Sequence, residues 1–444
     1  MTTETPPTEP TPAATPAKPS RRPWLVGIAV AVVLVVFGRP ILRSFLPKPR
    51  LAPAVKLLKE GKYSEAEVKL AEMLSYEPAN PQIRIFLAWA KLDRDDPKPA
   101  EALETLEPIR LATASQAAQA MVFRGRAYLA LNQPGKAESC WLDALKADLL
   151  VGEAGWHLLE LYYDEGREAE GRALALQLSK DEPNPGDRVR YLLEPIRYDA
   201  EPLAAAGLIP KFSSAVKVEP DNRPSSLAYY RAMAKDGTGV EPAMIGLRRL
   251  VEKFPDDLSC WDGYLFALDS TGDLDGMAKA LVEMPKTLTA DPRIMGYRGR
   301  LALHTKDYAA AIPDLERAVS AFPSDSKLLH LLGDAYRLAG QADKADVIKA
   351  REVVLEEARV ELRGIKGKEQ EEGRPGLFEE ATSRRDLGLV PNPSLYKRIA
   401  DNRERMGHPD EALAWHQIVL RDNAEDAESL EAVSRLGGET KPEK

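Results

Sequence analysis

The fold this sequence predicts is all-α: a right-handed α-solenoid of about nine or ten helical hairpins, preceded by a disordered tail and one transmembrane helix. A unit recurs from about Pro47 to Asn423: an apolar helix, a short turn with Gly or Asp, an Ala-rich helix, then Pro. Aromatic residues are only 7% of the chain, which suits packed helices better than a β-sandwich. At 444 residues the chain is too long for one compact core, so an array or several domains is expected.

Charge and cysteine content exclude other classes. Lys+Arg 61 against Asp+Glu 69 gives a net charge of −8, which argues against a nucleic-acid partner. Charged residues at 29% and a mean hydropathy of −0.34 exclude a polytopic membrane protein. Two cysteines, Cys140 and Cys260, build neither a disulfide framework nor a Cys-rich metal site, and each reads as a buried thiol on a helix.

Residues 1–22 are rich in Thr, Pro, Ala and Glu and have no apolar face to bury, so they read as disordered. Residues 23–46 read as a single uncleaved anchor. The apolar run Trp24–Gly38 rises only about 22 Å, so it spans by drawing on Ile41, Leu42, Phe45 and Leu46 and by snorkelling of Arg22 and Arg39. The localisation is thus single-pass membrane. Arg39, Arg43, Lys48, Arg50 and Lys56 after the run outnumber Lys18, Arg21 and Arg22 before it, which favours the cytoplasm for the bulk of the chain. Against that, SRRPWLV resembles a twin-arginine export signal lacking its lysine. The side stays open between cytoplasmic and extracytoplasmic.

The rest is periodic. Clear turns fall at Glu60–Ala66, Tyr163–Gly171, Ser270–Met277, Thr305–Ala311, Leu338–Ala345 and Arg405–Ala412. Pro78, Pro183, Pro220, Pro255 and Pro323 each close a second helix, which proline cannot continue. Pro220 to Pro255 is 35 residues and Gly299 to Gly333 is 34. The solenoid therefore covers 47–363, with 185–222 a degenerate repeat, because Leu208 stands where a small residue belongs. A charged connection over 364–390 leads to a final hairpin and capping helix over 391–436, and 437–444 is a frayed tail.

The pattern resembles the tetratricopeptide repeat (TPR) family. Gly125, Tyr128 and Ala137 fill its consensus positions 8, 11 and 20, with Trp141 at 24. Trp261, Leu268 and Gly272 fit the unit opening at Leu258; Gly299, Ala302, Ala311 and Pro323 fit the next; Leu329, Gly333, Tyr336 and Ala345 fit the one after. Small residues at 8 and 20 let the two helices of a hairpin cross closely, and one hairpin cannot bury its own apolar face. The resemblance implies protein–protein interaction. It does not extend to the carboxylate clamp for chaperone tails, since Leu51 and Val55 stand at the required Lys and Asn positions.

Enzyme chemistry is not indicated, and no cofactor is expected. Neither GxxxxGK[ST] nor GxGxxG occurs, and the five histidines include no i, i+4 pair. DLDG at Asp273–Gly276 fails as a calcium loop, because its first and twelfth ligand positions fall on Thr271 and Val282. The function read here is a membrane-tethered scaffold or adaptor binding a peptide or partner helix in the solenoid groove. One alternative is an assembly or regulatory subunit of a cell-envelope enzyme complex, whose anchor packs through Gly27 and Ala31. The other is an enzyme with an unrecognised site in Gly364–Pro393.

The resemblance places consensus positions 2, 5, 9 and 12 of each first helix on the concave side. For the unit opening near Pro292 these are Arg293, Gly296, Arg300 and Leu303; for that near Ser326, Lys327, His330, Asp334 and Arg337. The expected partner-binding groove is thus Arg293, Arg300, Lys327, His330 and Arg337, a basic strip for an acidic or carboxylate-terminated peptide. An earlier stripe, Glu153, Trp156, Glu160 and Tyr163, is acidic and aromatic instead.

Overall fold

The computed structural model describes residues 50–107, 113–148, 152–201, 204–237, 239–364, 376–386 and 392–437. The expected tail 1–22, the expected transmembrane segment 23–46 and the last seven residues lie outside them. Among the described residues there are twenty-two α-helices and no strand. Four hairpins come first: α1 (Leu51–Lys59) with α2 (Tyr63–Tyr76), α3 (Pro81–Asp93) with α4 (Pro99–Leu106), α5 (Ala114–Ala130) with α6 (Pro134–Ala147), and α7 (Gly152–Asp164) with α8 (Glu168–Asp181). Two irregular helices follow, α9 (Pro185–Ala200) and α10 (Ala205–Val218). Four further hairpins are α11 (Arg223–Asp236) with α12 (Val240–Lys253), α13 (Leu258–Thr271) with α14 (Leu274–Glu283), α15 (Pro292–His304) with α16 (Tyr308–Ala321), and α17 (Ser326–Leu338) with α18 (Ala342–Arg363). Then come α19 (Leu377–Asp386), a last hairpin of α20 (Pro393–Arg405) and α21 (Pro409–Asp422), and a closing helix α22 (Ala427–Arg435).

Local chemistry sets these boundaries. Pro78, Pro183, Pro220, Pro255 and Pro323 each stand two residues past the end of a second helix. The next first helix opens on a side-chain cap. Asn80, Asn184 and Asn392 accept from first-turn amides at 2.9–3.1 Å, and each is followed by proline at the first helical position, where no N–H is needed. Most hairpin turns contain one left-handed residue. Gly61, Gly166, Gly272, Gly340 and Gly407 supply it, while Asn132 and Lys306 adopt the same positive φ with side chains present.

The small consensus residues act unequally. A Cβ on Gly125 would lie 2.2 Å from Nε1 of Trp141, whose fully buried indole donates to the Val122 carbonyl at 3.2 Å. A Cβ on Gly299 would lie 2.6 Å from Leu315 Cγ. On Gly333 it would meet only Ile348 Cγ2, at 3.4 Å. The close crossing expected at Gly333 is therefore looser than that at Gly299.

Two stretches depart from the expected organisation. The degenerate repeat at 185–222 is not a hairpin: α9 packs against α8 and against α18, α19 and α21, while α10 pairs with α11. Val189, Leu192, Leu193 and Ile196 of α9 share one core with Leu329 and Leu332 of α17, Leu355 and Leu362 of α18, Leu377 of α19 and Trp415 of α21. The stretch 364–390 is not merely a connection, because α19 forms within it and buries Leu377 and Ala381 in that core. The array thus folds back on its own middle.

A buried ion network marks the fold-back. Arg403, fully buried, donates to Glu411 Oε2 at 2.8 Å and Asp199 Oδ2 at 2.6 Å. Arg172 donates to the other oxygens of the same two carboxylates, Glu411 Oε1 at 2.5 Å and Asp199 Oδ1 at 2.7 Å. Burial pushes both carboxyls up, but the two guanidinium groups outweigh it and hold Asp199 and Glu411 below the usual range. Neighbouring His408 is pushed down to about 4 by burial and the same arginines.

Thermal unfolding of glycine variants reads the crossings directly. Gly125→Ala and Gly299→Leu should each cost about 1–3 kcal/mol through overpacking, and Gly333→Leu under about 1 kcal/mol. Equal costs at 299 and 333 would contradict this packing.

Candidate functional site

The fold-back sets the inner face of the middle repeats opposite the α7–α8 turn, with a half-open site between them. A cavity of about 630 Å³ is lined by α11, α13, α15 and α17, the first helices of four successive hairpins, and faced by the α7–α8 turn from Glu165 to Glu170. The helical stripe rule holds fully on α13, where Ser259, Asp262, Phe266 and Asp269 stand at positions 2, 5, 9 and 12 and all line the cavity. On α15, Arg293, Gly296 and Arg300 line it as expected.

On α17 the expectation fails in part. Lys327 lines the cavity, but its companions are Leu328 and Leu331, not His330, Asp334 and Arg337. The reason is the pull of the shared core: Leu329, Leu332 and Tyr336 are drawn into it, which turns the stripe away from the cavity. The His330 and Arg337 side chains are 70% and 63% exposed, and both lie beside Asp334, at 3.6 and 3.0 Å. The expected site of five cations thus resolves into three that share the cavity and two that face solvent.

Nor is the cavity a free basic strip. Arg300 and Lys327, from consecutive repeats, both form ion pairs with Asp269, which is only 5% exposed. Burial pushes the Lys327 ammonium down, and adjacent Arg300 adds to it. Arg293 donates to its own cap Asp291 at 3.1 Å, Arg231 pairs with Asp262 at 3.4 Å while stacking 4.7 Å over Phe266, and Arg223 pairs with Asp257. Asp262 also accepts from Tyr297 Oη at 3.2 Å. Asp262, Phe266 and Asp269 were legible: the same stripe rule applied to the unit opening at Leu258 finds them.

At the opposite end, Glu165 is buried and accepts from Ser225 Oγ at 2.5 Å and Arg167 Nη1 at 3.1 Å. Burial pushes its carboxyl up to about 7, against the pull of Ser225 and Arg167. This residue came from a turn that sequence reasoning treated only as a turn. The acidic and aromatic stripe on α7 is elsewhere: Arg190 lies 3.9 Å over the Trp156 ring, and Tyr163 is buried against Tyr198. Among the described residues no group of three or more His, Cys, Asp or Glu is placed to hold a metal ion. Burial raises both thiols, Cys260 to about 12.

Comparison with known proteins bears on this geometry. Tetratricopeptide-repeat profiles match residues 57–122, 122–187 and 287–352. These segments are tetratricopeptide repeats. The last of them carries Arg293, Arg300 and Lys327. No curated protein sequence matches the chain. Among solved structures, a chain from the crystal structure of the APC/C hetero-tetramer Cut9–Hcn1 is similar at 13% identity, over 92% of each chain, with a TM-score of 0.32. A tetratricopeptide repeat protein from Parabacteroides merdae aligns at 15% identity with 64% of this chain and 96% of its own, at a TM-score of 0.26. Human IFIT1, as a dimer with PPP-AAAA, aligns at 15% identity with 82% of this chain and 95% of its own, at 0.32.

The pH dependence of stability isolates Glu165. Its folded pKa lies above the unfolded value, so its contribution is full below about 4.5 and is lost as pH rises through about 7. Relative to wild type, Glu165→Gln should therefore gain melting temperature as pH rises from 5 to 8. A difference constant with pH would contradict a raised Glu165 carboxyl.

Proposed function

We propose that this protein is a membrane-tethered interaction scaffold that holds an extended partner segment in the cavity of α11, α13, α15 and α17. The observation that carries the reading is the cavity itself, concave and built by the inner faces of four consecutive hairpins. The tether rests on the apolar run Trp24–Gly38. Among the described residues no helix is long and apolar enough to cross a membrane. The role is binding, not catalysis.

An acidic segment suits the α15–α17 end. Arg300 and Lys327 present two cations to one carboxylate, Asp269, which pins them in place and leaves further donors on both groups. A peptide carboxylate docking there completes the pairing, with Leu328 and Leu331 as its apolar floor.

The test is fluorescence anisotropy with labelled acidic peptides ending in a free carboxylate. Arg300→Gln with Lys327→Gln should weaken the binders found at least tenfold, about 1.4 kcal/mol, and flatten their salt dependence. Glutamine is used because glutamate at either position would face Asp269. Unchanged affinity and salt dependence would place the docking site elsewhere.

A further inference from the structure

The first helix of the array carries a positive charge at odds with the rest of the chain. Residues 48–62 hold Lys48, Arg50, Lys56, Lys59 and Lys62 against one carboxylate, Glu60, a net charge of +4 in a chain whose net charge is −8. Helix α1 itself contains no acidic residue. Its Ala54 and Leu58 are buried in one core with residues of α2 and α3. At 3.6 residues per turn, Ala52, Lys56 and Lys59 fall within about 60° of one another on the opposite side, and all three are exposed. The Lys56 side chain is 77% exposed and shares Glu60 with Lys62, at 3.6 and 2.9 Å. Lys59 makes no ion pair with a described residue. The exposed charges of α2 have the other balance, Glu65 and Glu72 against Lys69.

We propose that α1 lies along the surface of an anionic bilayer, with Ala52, Lys56 and Lys59 towards the lipid head groups. This rests on the membrane tether proposed above. Chain length brings the surface near. From Leu46, where the apolar segment ends, to Arg50 is four residues, which reach about 13 Å at full extension. Charge turns α1 towards it. Lys and Arg are attracted to anionic head groups within about a Debye length, about 10 Å at 0.1 M salt. The tether thus holds the cations of α1 inside the range where that attraction acts, on whichever side of the membrane the array stands. Helix α2, with its surplus of exposed carboxylate, is turned outward. Docking of the first hairpin then sets the direction in which the later repeats leave the membrane.

Flotation and lipid quenching of the full-length chain separate the docking from the tether. The chain is reconstituted in vesicles of phosphatidylcholine, alone or with about 30% phosphatidylglycerol. Flotation with the neutral vesicles in high salt reads the tether. A fluorophore on Ala52→Cys, in a chain whose Cys140 and Cys260 are replaced by alanine, is quenched by head-group spin-labelled lipid when α1 lies on the surface. At about 0.1 M salt, quenching should be at least about threefold stronger in the anionic vesicles, and about 1 M salt, where the Debye length is about 3 Å, should remove the difference. Lys56→Gln with Lys59→Gln should remove it too, with the melting temperature unchanged, since both side chains face solvent. Flotation accompanied by quenching that ignores lipid charge, or ignores the double substitution, would overturn the docking and leave the tether in place. Failure to float with neutral vesicles would remove the tether and the docking with it.

Discussion

Four charged side chains held together, Arg403 and Glu411 buried and Arg172 and Asp199 mostly so, tie the middle of this array to its end. Each carboxylate receives both guanidinium groups, so no charge is left unpaired in a low-dielectric setting. Such a network stabilises little by itself, because desolvating four charges offsets most of the attraction. What it adds is discrimination. An alternative docking that left Arg403 without Asp199 and Glu411 would strand a buried cation, a far larger penalty than the loss of a few apolar contacts. The apolar core between α9 and α17–α21 supplies the driving force, and the ion network fixes its register.

The site depends on that register. Helix α9 replaces the first helix of a repeat by a strut that the C-terminal helices wrap, and this brings α17 round towards the α7–α8 turn. An open array would leave the inner face of α11 to α17 as a shallow groove. Fold-back gives it a far wall and changes the electrostatics. Cations on α11, α15 and α17 are met by carboxylates on α13, Asp262 and Asp269, so the chain holds its binding surface as pre-ordered pairs.

Much of this was legible because a repeat helix writes its packing into short-range spacing. Gly125 and Trp141, the closing prolines and the glycine turns are local, and local geometry is what periodicity reports. The concave stripe was legible for the same reason, fully on α13 and at three of its four positions on α15, where Leu303 packs against the core instead. The failures share one cause. His330 and Arg337 sit off the cavity because α17 turns towards α9, and α9 leaves its hairpin for helices that follow it by more than 150 residues. Neither spacing nor composition near Leu192 or Leu329 encodes that contact. Leu208 signalled that the repeat pattern breaks, but not where α9 goes. Arg172 meets carboxylates 27 and 239 residues away and Arg403 ones 204 and 8 residues away, contacts that short-range spacing does not report.

Fold-back is the claim on which the cavity rests, and an intramolecular distance measures it. Spin labels at Ala173→Cys and Asp410→Cys, beside Arg172 and Glu411, in a chain whose native cysteines are replaced by alanine, report the separation of α8 from α21. The closed arrangement predicts one short, narrow distance distribution that Arg403→Met broadens and lengthens. A long, broad distribution in the parent chain, unchanged by Arg403→Met, would show an open array and remove the site's far wall.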